Sequence, residues 1–585
     1  MIGWLLRFSI VAAAILILAE VISRYLLHHS LGWTQDAALD LLIVIVFTGL
    51  PVALAQDNVA RLVLGRERLS PAVDSFADGV AHGCTLAYLA VVFGAWFQLI
   101  GAEKAEFLPT FNVPVLYLGV VVPIGFGLGL LSELRRIVIE AGARPLWPLV
   151  TGTGIGLALG LILTLAFPLN SPAFSLVAIV ALVLIGIPIA VAVGIGAFAM
   201  VVSSGIAPAT IVPETLFAGA DNFVLLAIPF FMLTGALASE SSFGPRLVRF
   251  AQAWLGWLPG GLGVSTIGAS ALFANMSGSA AADTAAIGSV MIPGLRKSGY
   301  SAAEAVALTA AAGVIGVVFP PAAALILYGF VANVSIVALF RAAILPGTLI
   351  AVSMMLTHIW LSRDRPKSAD LKFGLGRAAA ATLAAAQVLI VPIILLGGIF
   401  GGLFTPTEAG VVAAVVIFLI ALLQREWTAR GLLRVLDGAV ERVLLVMFVL
   451  VNAQAISWGF AATNFGSNVV AGLQGLGGGR IGQLILINLL LLVIHTFIET
   501  GPSILIMTPL LLPAVTAAHI DPLLFGIVMV VNSTIGQAMP PVGVNIYIAA
   551  KIARSPVAPA VIKIVPYVLS SLVVLIITNA YVLAH

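Results

Sequence analysis

Charge is what this sequence has least of: Asp, Glu, Lys and Arg make up 9% of its 585 residues, against about 25% in an ordinary soluble domain. That scarcity excludes a solvated globular surface. Neither sign dominates, because 27 basic residues face 24 acidic ones for a net charge of +3. The lysines and arginines are scattered between apolar runs, so no basic surface exists to hold a nucleic acid. Cysteine is nearly absent, and the single Cys84 excludes an intrachain disulfide and a thiolate metal cluster. Gly-x-x-x-x-Gly-Lys-Ser/Thr does not occur, so the chain carries no phosphate loop of its own. His495 precedes Glu499 by one turn, but without His-Glu-x-x-His or further ligands the pair does not make a metalloenzyme.

What is abundant is apolar surface, at 61% of residues. At about 20 residues per helical crossing, the length accommodates about fifteen transmembrane helices. Helices satisfy their own backbone in lipid, so the expected fold is an all-α polytopic membrane protein. The apolar run over 3–27 is read as a retained first helix rather than a secretory signal, because Arg24 and further spans follow it closely.

Four spans are expected near 4–27, 38–55, 77–100 and 113–132. Arg61, Arg66 and Arg68 follow the second, and Arg135, Arg136 and Arg144 follow the fourth, which puts both segments in the cytoplasm. Glu103, Lys104 and Glu106 suit the outer side. A fifth span, about 148–168, carries Gly152, Gly156 and Gly160 at every fourth position, a flat stripe that lets another helix approach closely. Shorter apolar pieces at 173–187 and 188–203 meet at Gly186 and Pro188. Basic residues recur at Arg246 and Arg249, Arg296 and Lys297, Arg363 to Lys372, Arg425 to Arg434, and Lys551 and Arg554, and alternate as internal segments.

The remainder of the chain repeats. Pro293 pairs with Pro513, Gly316 with Gly536, Pro320 with Pro540, Pro321 with Pro541, and Pro346 with Pro566, each at the same offset (540 − 320 = 220). A Gly-x-x-x-Pro-Pro string recurring in register is far less frequent by chance than single glycines or prolines. Five spans, about 304–330, 336–361, 378–400, 408–423 and 440–460, separate equivalent points, and an odd number inverts the second copy. Inverted repeats with interrupted helices are how secondary transporters place a substrate site near the bilayer midplane.

Within each copy an apolar stretch reaches a small polar tip and returns too soon for two comfortable spans. The first, 261–293, has Asn275, Met276, Ser277, Gly278 and Ser279 at its tip; the second, 481–513, has Glu499, Thr500, Gly501, Pro502 and Ser503. Both read as re-entrant hairpins, tolerated where protein or a water-filled cavity satisfies the open backbone. Opposite each tip, the breaks from Gly316 to Pro321 and from Gly536 to Pro541 lack amide donors and free carbonyl oxygens. Free carbonyls with Ser, Thr and Asn oxygens suit a hard cation such as sodium, and helix amino-termini suit a carboxylate. Two cation sites around one anion site are therefore expected. The alternative is that Ser277 and Thr500 only hydrogen-bond neighbouring helices.

Asp283 and Glu499 are functional candidates because burying a carboxylate in a membrane is costly. They hold cations, orient the tip backbone or carry protons; the residues alone do not choose. Glu408, three residues after Thr405, reads as a helix start. Glu20 and Arg24 are one helical step apart and are expected to pair.

FANMSGSAAADTAAIGSVMIPGL from Phe273, VVFPPAAALILYGFVAN from Val317, GGIFGGLFTPTEAG from Gly397 and FIETGPSILIMTPLLLP from Phe497 carry a resemblance to a known family. Over nearly its whole length the chain resembles the fused membrane component of a tripartite ATP-independent periplasmic (TRAP) transporter. Ser23, Arg24, Tyr25 and Trp33 extend the likeness, more loosely, into the small unit. The resemblance implies a small four-helix subunit over 1–147, a connecting transmembrane helix over 148–170, and a large transport subunit over 171–585. It implies an elevator-type carrier in the bacterial inner membrane, not an enzyme, that couples an organic acid to Na+ without an organic cofactor. A periplasmic substrate-binding protein is the implied partner, and a functional monomer follows from the fusion. Family ion sites map onto Asn275, Ser277, Gly278 and Ser279 with Gly316, Val318 and Pro320, and onto Thr500, Gly501, Gly536 and Met539. Asp283, Glu499, Pro321 and Pro541 are left to contact substrate or organise the tips. A stand-alone carboxylate or ion exchanger is the alternative.

Overall fold

The computed structural model describes residues 2–55, 70–102, 119–166, 172–363, 373–475, 477–539 and 543–585. Arg61, Arg66, Arg68, Glu103, Lys104, Glu106, Arg365, Lys367, Lys372, Pro540 and Pro541 lie outside them. Every regular element among the described residues is a helix, and they contain no strand. The chain divides into two compact units, one formed by Met1–Leu226, Val440–Val469 and Leu505–Leu510, the other by Ala227–Ala439, Val470–Ile504 and Leu511–His585.

The first unit begins with α1 (Ile2–Leu26), α2 (Trp33–Thr48), α3 (Leu50–Ala55), α4 (Pro71–Ala102) and α5 (Val121–Ala141). It continues through α6 (Leu146–Leu161, extended by a π-helical turn over Ile162–Ala166), α7 (Pro172–Ile185), α8 (Ile189–Ser204) and α9 (Ile211–Ala220). The expected break at Gly186 and Pro188 separates α7 from α8. Glu20, buried on α1, spends its oxygens on the turn that follows: it accepts from the Leu31 amide at 2.7 Å and the Ser30 hydroxyl at 2.8 Å.

Two features organise this unit. The glycine stripe of α6 meets a second one on α4: a Cβ on Gly79 or Gly83 would strike the α6 backbone, and one on Gly152 or Gly156 would strike the α4 backbone. With no side chains between them the helices touch main chain to main chain, and the Cys84 thiol donates to the Gly156 carbonyl at 3.2 Å. In the first half of α4, buried His82 bridges Glu133 at 2.6 Å and Glu140 at 3.2 Å. Burial pushes the Glu140 carboxyl up, but His82 and Arg136 outweigh it and hold it down at about 2. Arg144 closes the network on Asp74 and Asp78. Farther along α4, Tyr88 packs edge-on against Phe126 and Phe198 and hydrogen-bonds the Asn452 side chain.

The second unit opens with α10 (Ala227–Ser239), α11 (Phe243–Leu255), α12 (Gly261–Ser277), α13 (Ala280–Lys297), α14 (Ala302–Gly313) and α15 (Ala323–Val331). A 3-10 turn over Val314–Val317 follows α14, so the expected span over 304–330 is a helix interrupted at its Gly-Pro-Pro string. Next come α16 (Ile336–Leu361), α17 (Leu375–Phe400), α18 (Pro406–Leu423) and α19 (Ala429–Ala462), the last of which runs on into the first unit; α20 (Phe465–Gly475) begins in the first unit and ends in the second. The chain ends with α21 (Gly479–Phe497), α22 (Thr500–Ala517), α23 (Pro522–Ala538), α24 (Val544–Ala553) and α25 (Ala558–Ala584). The offset of 220 governs whole elements here, since α13 begins and ends 220 residues before α22 (500 − 280 = 220; 517 − 297 = 220).

Local chemistry sets the helix starts. Thr405 accepts from the Glu408 amide while Glu408 returns to the Thr405 amide at 3.0 Å, the capping box expected at α18. Thr405→Val should destabilise the purified protein by about 1 kcal/mol, read as thermal unfolding in detergent. An unchanged midpoint would show that this helix end draws its stability from packing alone.

The chain is a multi-pass membrane protein. Among the described residues ten helices are long and apolar enough to cross, against the fifteen expected. Five shorter apolar helices account for part of the difference: Ala173–Ile185, Ile189–Val202, Ala302–Val317, Pro522–Ala538 and Val544–Ala553. Three of these are halves of elements broken at the repeated Gly and Pro residues.

Candidate functional site

In the second unit α12 and α13 form a helix-turn-helix whose turn is Gly278 and Ser279. Gly278 is left-handed, with φ of 57°, and a Cβ there would come within 2.8 Å of the Pro321 carbonyl oxygen. The turn is thus seated on the Pro320-Pro321 break, whose peptide bond is cis. On the same side, Asp283 in the first turn of α13 is fully buried and accepts a hydrogen bond from the Ser277 hydroxyl through Oδ1. Its second oxygen, Oδ2, is buried with no hydrogen-bond partner among the described residues. That oxygen points at Gly316, where a Cβ would run into the carboxylate, and Ser279 lies beside the same glycine. In the next residue, Thr284 Oγ1 faces Gly313 and is also buried without a hydrogen-bond partner among the described residues.

Ser277, Gly278, Ser279, Asp283, Gly316 and Pro321 are therefore brought together. Val318 and Pro320 are buried in the same break. Asn275 stays on α12, its side-chain amide donating to the Ala271 carbonyl at 2.9 Å. The donor set is all oxygen, with one carboxylate whose free lone pairs have no protein donor. An oxygen set of this kind fits a hard monovalent or divalent cation and does not fit a soft metal.

The second helix-turn-helix, α21 and α22, turns through Ile498 and Glu499. Buried Thr500 accepts from the Gln537 amide at 2.5 Å, which joins the start of α22 to the end of α23. Gly536 packs against His495, and a Cβ there would overlap the His495 backbone. A Cβ on Gly501 would lie 3.5 Å from the Leu327 side chain, and Met539 is the C-cap of α23. Glu499 is exposed at the N-cap position of α22. Thr500, Gly501 and Gly536 thus share one neighbourhood, with Met539 at its edge; Pro541 is outside the described residues.

Sequence reasoning missed four polar side chains here, Gln537, Asn488, Asn532 and Asn579. Gln537 answers Thr500. Asn579, Asn488, Asn532 and His495 form a buried chain, with Asn488 donating to Asn579 at 2.8 Å and His495 3.1 Å from Asn532. His495 Nε2 and Ser503 Oγ are buried without partners. The 220 offset carried the signal: it maps Asp283 onto Ser503 (503 − 283 = 220) and Asn275 onto His495 (495 − 275 = 220).

Two family models match the chain. The DctQ component of tripartite ATP-independent periplasmic transporters matches residues 13–141, and the DctM component matches residues 176–583. The isethionate TRAP transporter permease protein DctMQ of Oleidesulfovibrio alaskensis is 33% identical across 98% of this chain and 92% of its own. The sialic acid TRAP transporter large permease protein SiaM of Vibrio cholerae is 33% identical over 62% of this chain and 84% of its own. The 2,3-diketo-L-gulonate TRAP transporter large permease protein YiaN of Escherichia coli is 35% identical over 61% and 85%.

Proposed function

The chain belongs to the tripartite ATP-independent periplasmic transporter family, with a DctQ and a DctM component in one polypeptide, and on that footing we propose that it takes up a small organic acid by sodium-coupled symport. It is a transporter and not an enzyme. Uptake runs across the bacterial inner membrane from a periplasmic binding protein, and residues 1–147, 148–170 and 171–585 act as the small subunit, the connecting segment and the transport subunit of a functional monomer.

The observation that carries sodium coupling is Asp283 Oδ2, a buried carboxylate oxygen that no protein donor answers. A bound cation answers it together with Ser277, Ser279 and the carbonyls of the break at Gly316. Thr500 and the end of α23 near Gly536 supply the second site. Helix lengths support re-entrance: the 17 residues of α12 reach about 26 Å, short of the roughly 30 Å hydrocarbon core. Sodium favours the substrate anion because ordering the tips for one ligand orders them for the other, and the coupling is reciprocal. The two tips and interrupted helices then move as one body in an elevator cycle. The relatives named for isethionate, sialic acid and diketogulonate make the substrate class a small organic anion, sulfonate or carboxylate.

Reconstituted vesicles under an inward sodium gradient test this with radiolabelled isethionate and C4-dicarboxylates, each with and without its binding protein. Uptake should require both sodium and the soluble partner. Sodium-driven uptake without the partner would favour a stand-alone exchanger, and uptake indifferent to sodium would overturn the coupling.

A further inference from the structure

The helix α11 differs from its neighbours. It is strongly two-sided: Phe243, Leu247, Val248 and Ala251 are buried, while Arg246 and Arg249 sit one turn apart on the other face. It is short, at 13 residues, and it leads through residues 256–260 directly into α12. A helix with this pattern lies along a membrane surface. Trp254 and Trp257 continue it, both exposed and both against Phe373, an arrangement typical of the headgroup level.

Between α11 and α17 is a cavity of about 420 Å³ lined by Arg246, Arg249, Ala381, Ala384 and Ala385. Small-ligand sites run from about 300 to 1,000 Å³. Its two arginines are not equivalent. Arg246 is fixed in a polar network: it donates to Gln387 at 3.2 Å and to Gln424, and lies 3.4 Å from Glu426, which also accepts from the Ser242 amide. Arg249 is exposed, hydrogen-bonds only the Pro245 carbonyl of its own helix at 3.3 Å, and has no carboxylate partner among the described residues. One guanidinium is thus positioned and the other is left to meet an anion. The floor is apolar, since Ala381, Ala384 and Ala385 present only methyl groups from α17 where they line the cavity. Leu375 and Leu383 elsewhere on α17 are 71% and 78% exposed, which marks that helix as facing hydrocarbon.

We propose that this cavity holds an acidic phospholipid of the cytoplasmic leaflet, its phosphate on Arg249 and Arg246 and its glycerol and first acyl carbons over the alanine floor. A soluble anion would use the guanidinium groups and leave the alanine floor and tryptophan rim unexplained. Basic pockets between membrane helices take lipid headgroups by the same combination of charge and apolar wall. Occupancy pins α11 to the membrane plane at the point where it feeds the first helix-turn-helix.

The test is native mass spectrometry of the full chain in neutral detergent, titrated with phosphatidylglycerol or phosphatidylcholine. Phosphatidylglycerol should bind more tightly than phosphatidylcholine, and Arg249→Gln should weaken it about fivefold or more, with phosphatidylcholine unchanged. Arg249→Lys, which keeps the charge, should stay close to wild type. Ala384→Leu, which fills the floor and leaves both arginines, should weaken phosphatidylglycerol as well. Phosphatidylglycerol binding unchanged in both Arg249→Gln and Ala384→Leu would overturn the proposal. So would displacement of the lipid by millimolar inorganic phosphate, which would make this a site for the free ion.

Discussion

Exchanging Asp283 for asparagine should lower sodium-driven uptake by on the order of 100-fold while the protein still purifies as a folded species. The substitution keeps the shape of the side chain and one carbonyl oxygen for the Ser277 hydroxyl. It removes the negative charge and puts an amide NH2 in the place of Oδ2, an atom that has no hydrogen-bond partner among the described residues. Losing one charged partner from a buried ion contact costs about 3 kcal/mol, which is roughly the stated factor. The half-saturating sodium concentration should rise before the maximal rate collapses, and this separates a lost cation ligand from a misplaced tip. Gly316→Ala should give the same phenotype by another route, because its Cβ would occupy the place of the carboxylate. Uptake and sodium dependence unchanged in Asp283→Asn would remove the site from the cycle.

The second large effect concerns stability. Gly156→Ala should destabilise the protein by about 2–4 kcal/mol, because the new methyl group meets main-chain atoms of Val80 and no flexible side chain is present to move aside. Gly154, two residues earlier on the same helix, has nothing within 4 Å of its Cβ position. Gly154→Ala should therefore be neutral or stabilise by up to about 1 kcal/mol through helix propensity. Thermal unfolding of the pair in detergent is a controlled comparison, since both variants change the same residue type by one methyl. Equal midpoints would mean that the α4 and α6 backbones are not held at the separation described.

Much of this arrangement was legible because helix breakers are explicit. The Gly186 and Pro188 break, the interruption after Gly316, the capping box at Thr405 and the two tips all follow from residues whose backbone chemistry leaves few options. The stripe at Gly152, Gly156 and Gly160 announced a close approach but not its partner, because Gly79 and Gly83 are ordinary glycines until α4 is known to lie opposite. The expectation that Glu20 pairs with Arg24 overlooked the Ser30 and Leu31 donors, which a local turn folds back over the carboxylate. At the site, Asp283 was legible as a charge in the wrong solvent. Gln537 was not, since an amide in an apolar helix declares a hydrogen bond without saying to what. Counting spans by length failed where halves of broken helices fall below a bilayer's width.

The hydrogen bond between Tyr88 and Asn452 has a consequence in time. Its partners are 364 residues apart, so at roughly 5–20 residues per second Asn452 leaves the ribosome some 20–70 s after Tyr88. Throughout that interval α4 is already committed while a tyrosine hydroxyl destined for a buried position has no permanent acceptor. The glycine crossing with α6 and the His82 network involve only residues up to 160 and need not wait. Assembly of the first unit therefore proceeds in two stages, an early bundle that closes on itself and a late strut that arrives after most of the chain has been made. A ribosome stalled before residue 452 should hold a nascent chain whose early bundle already resists proteolysis.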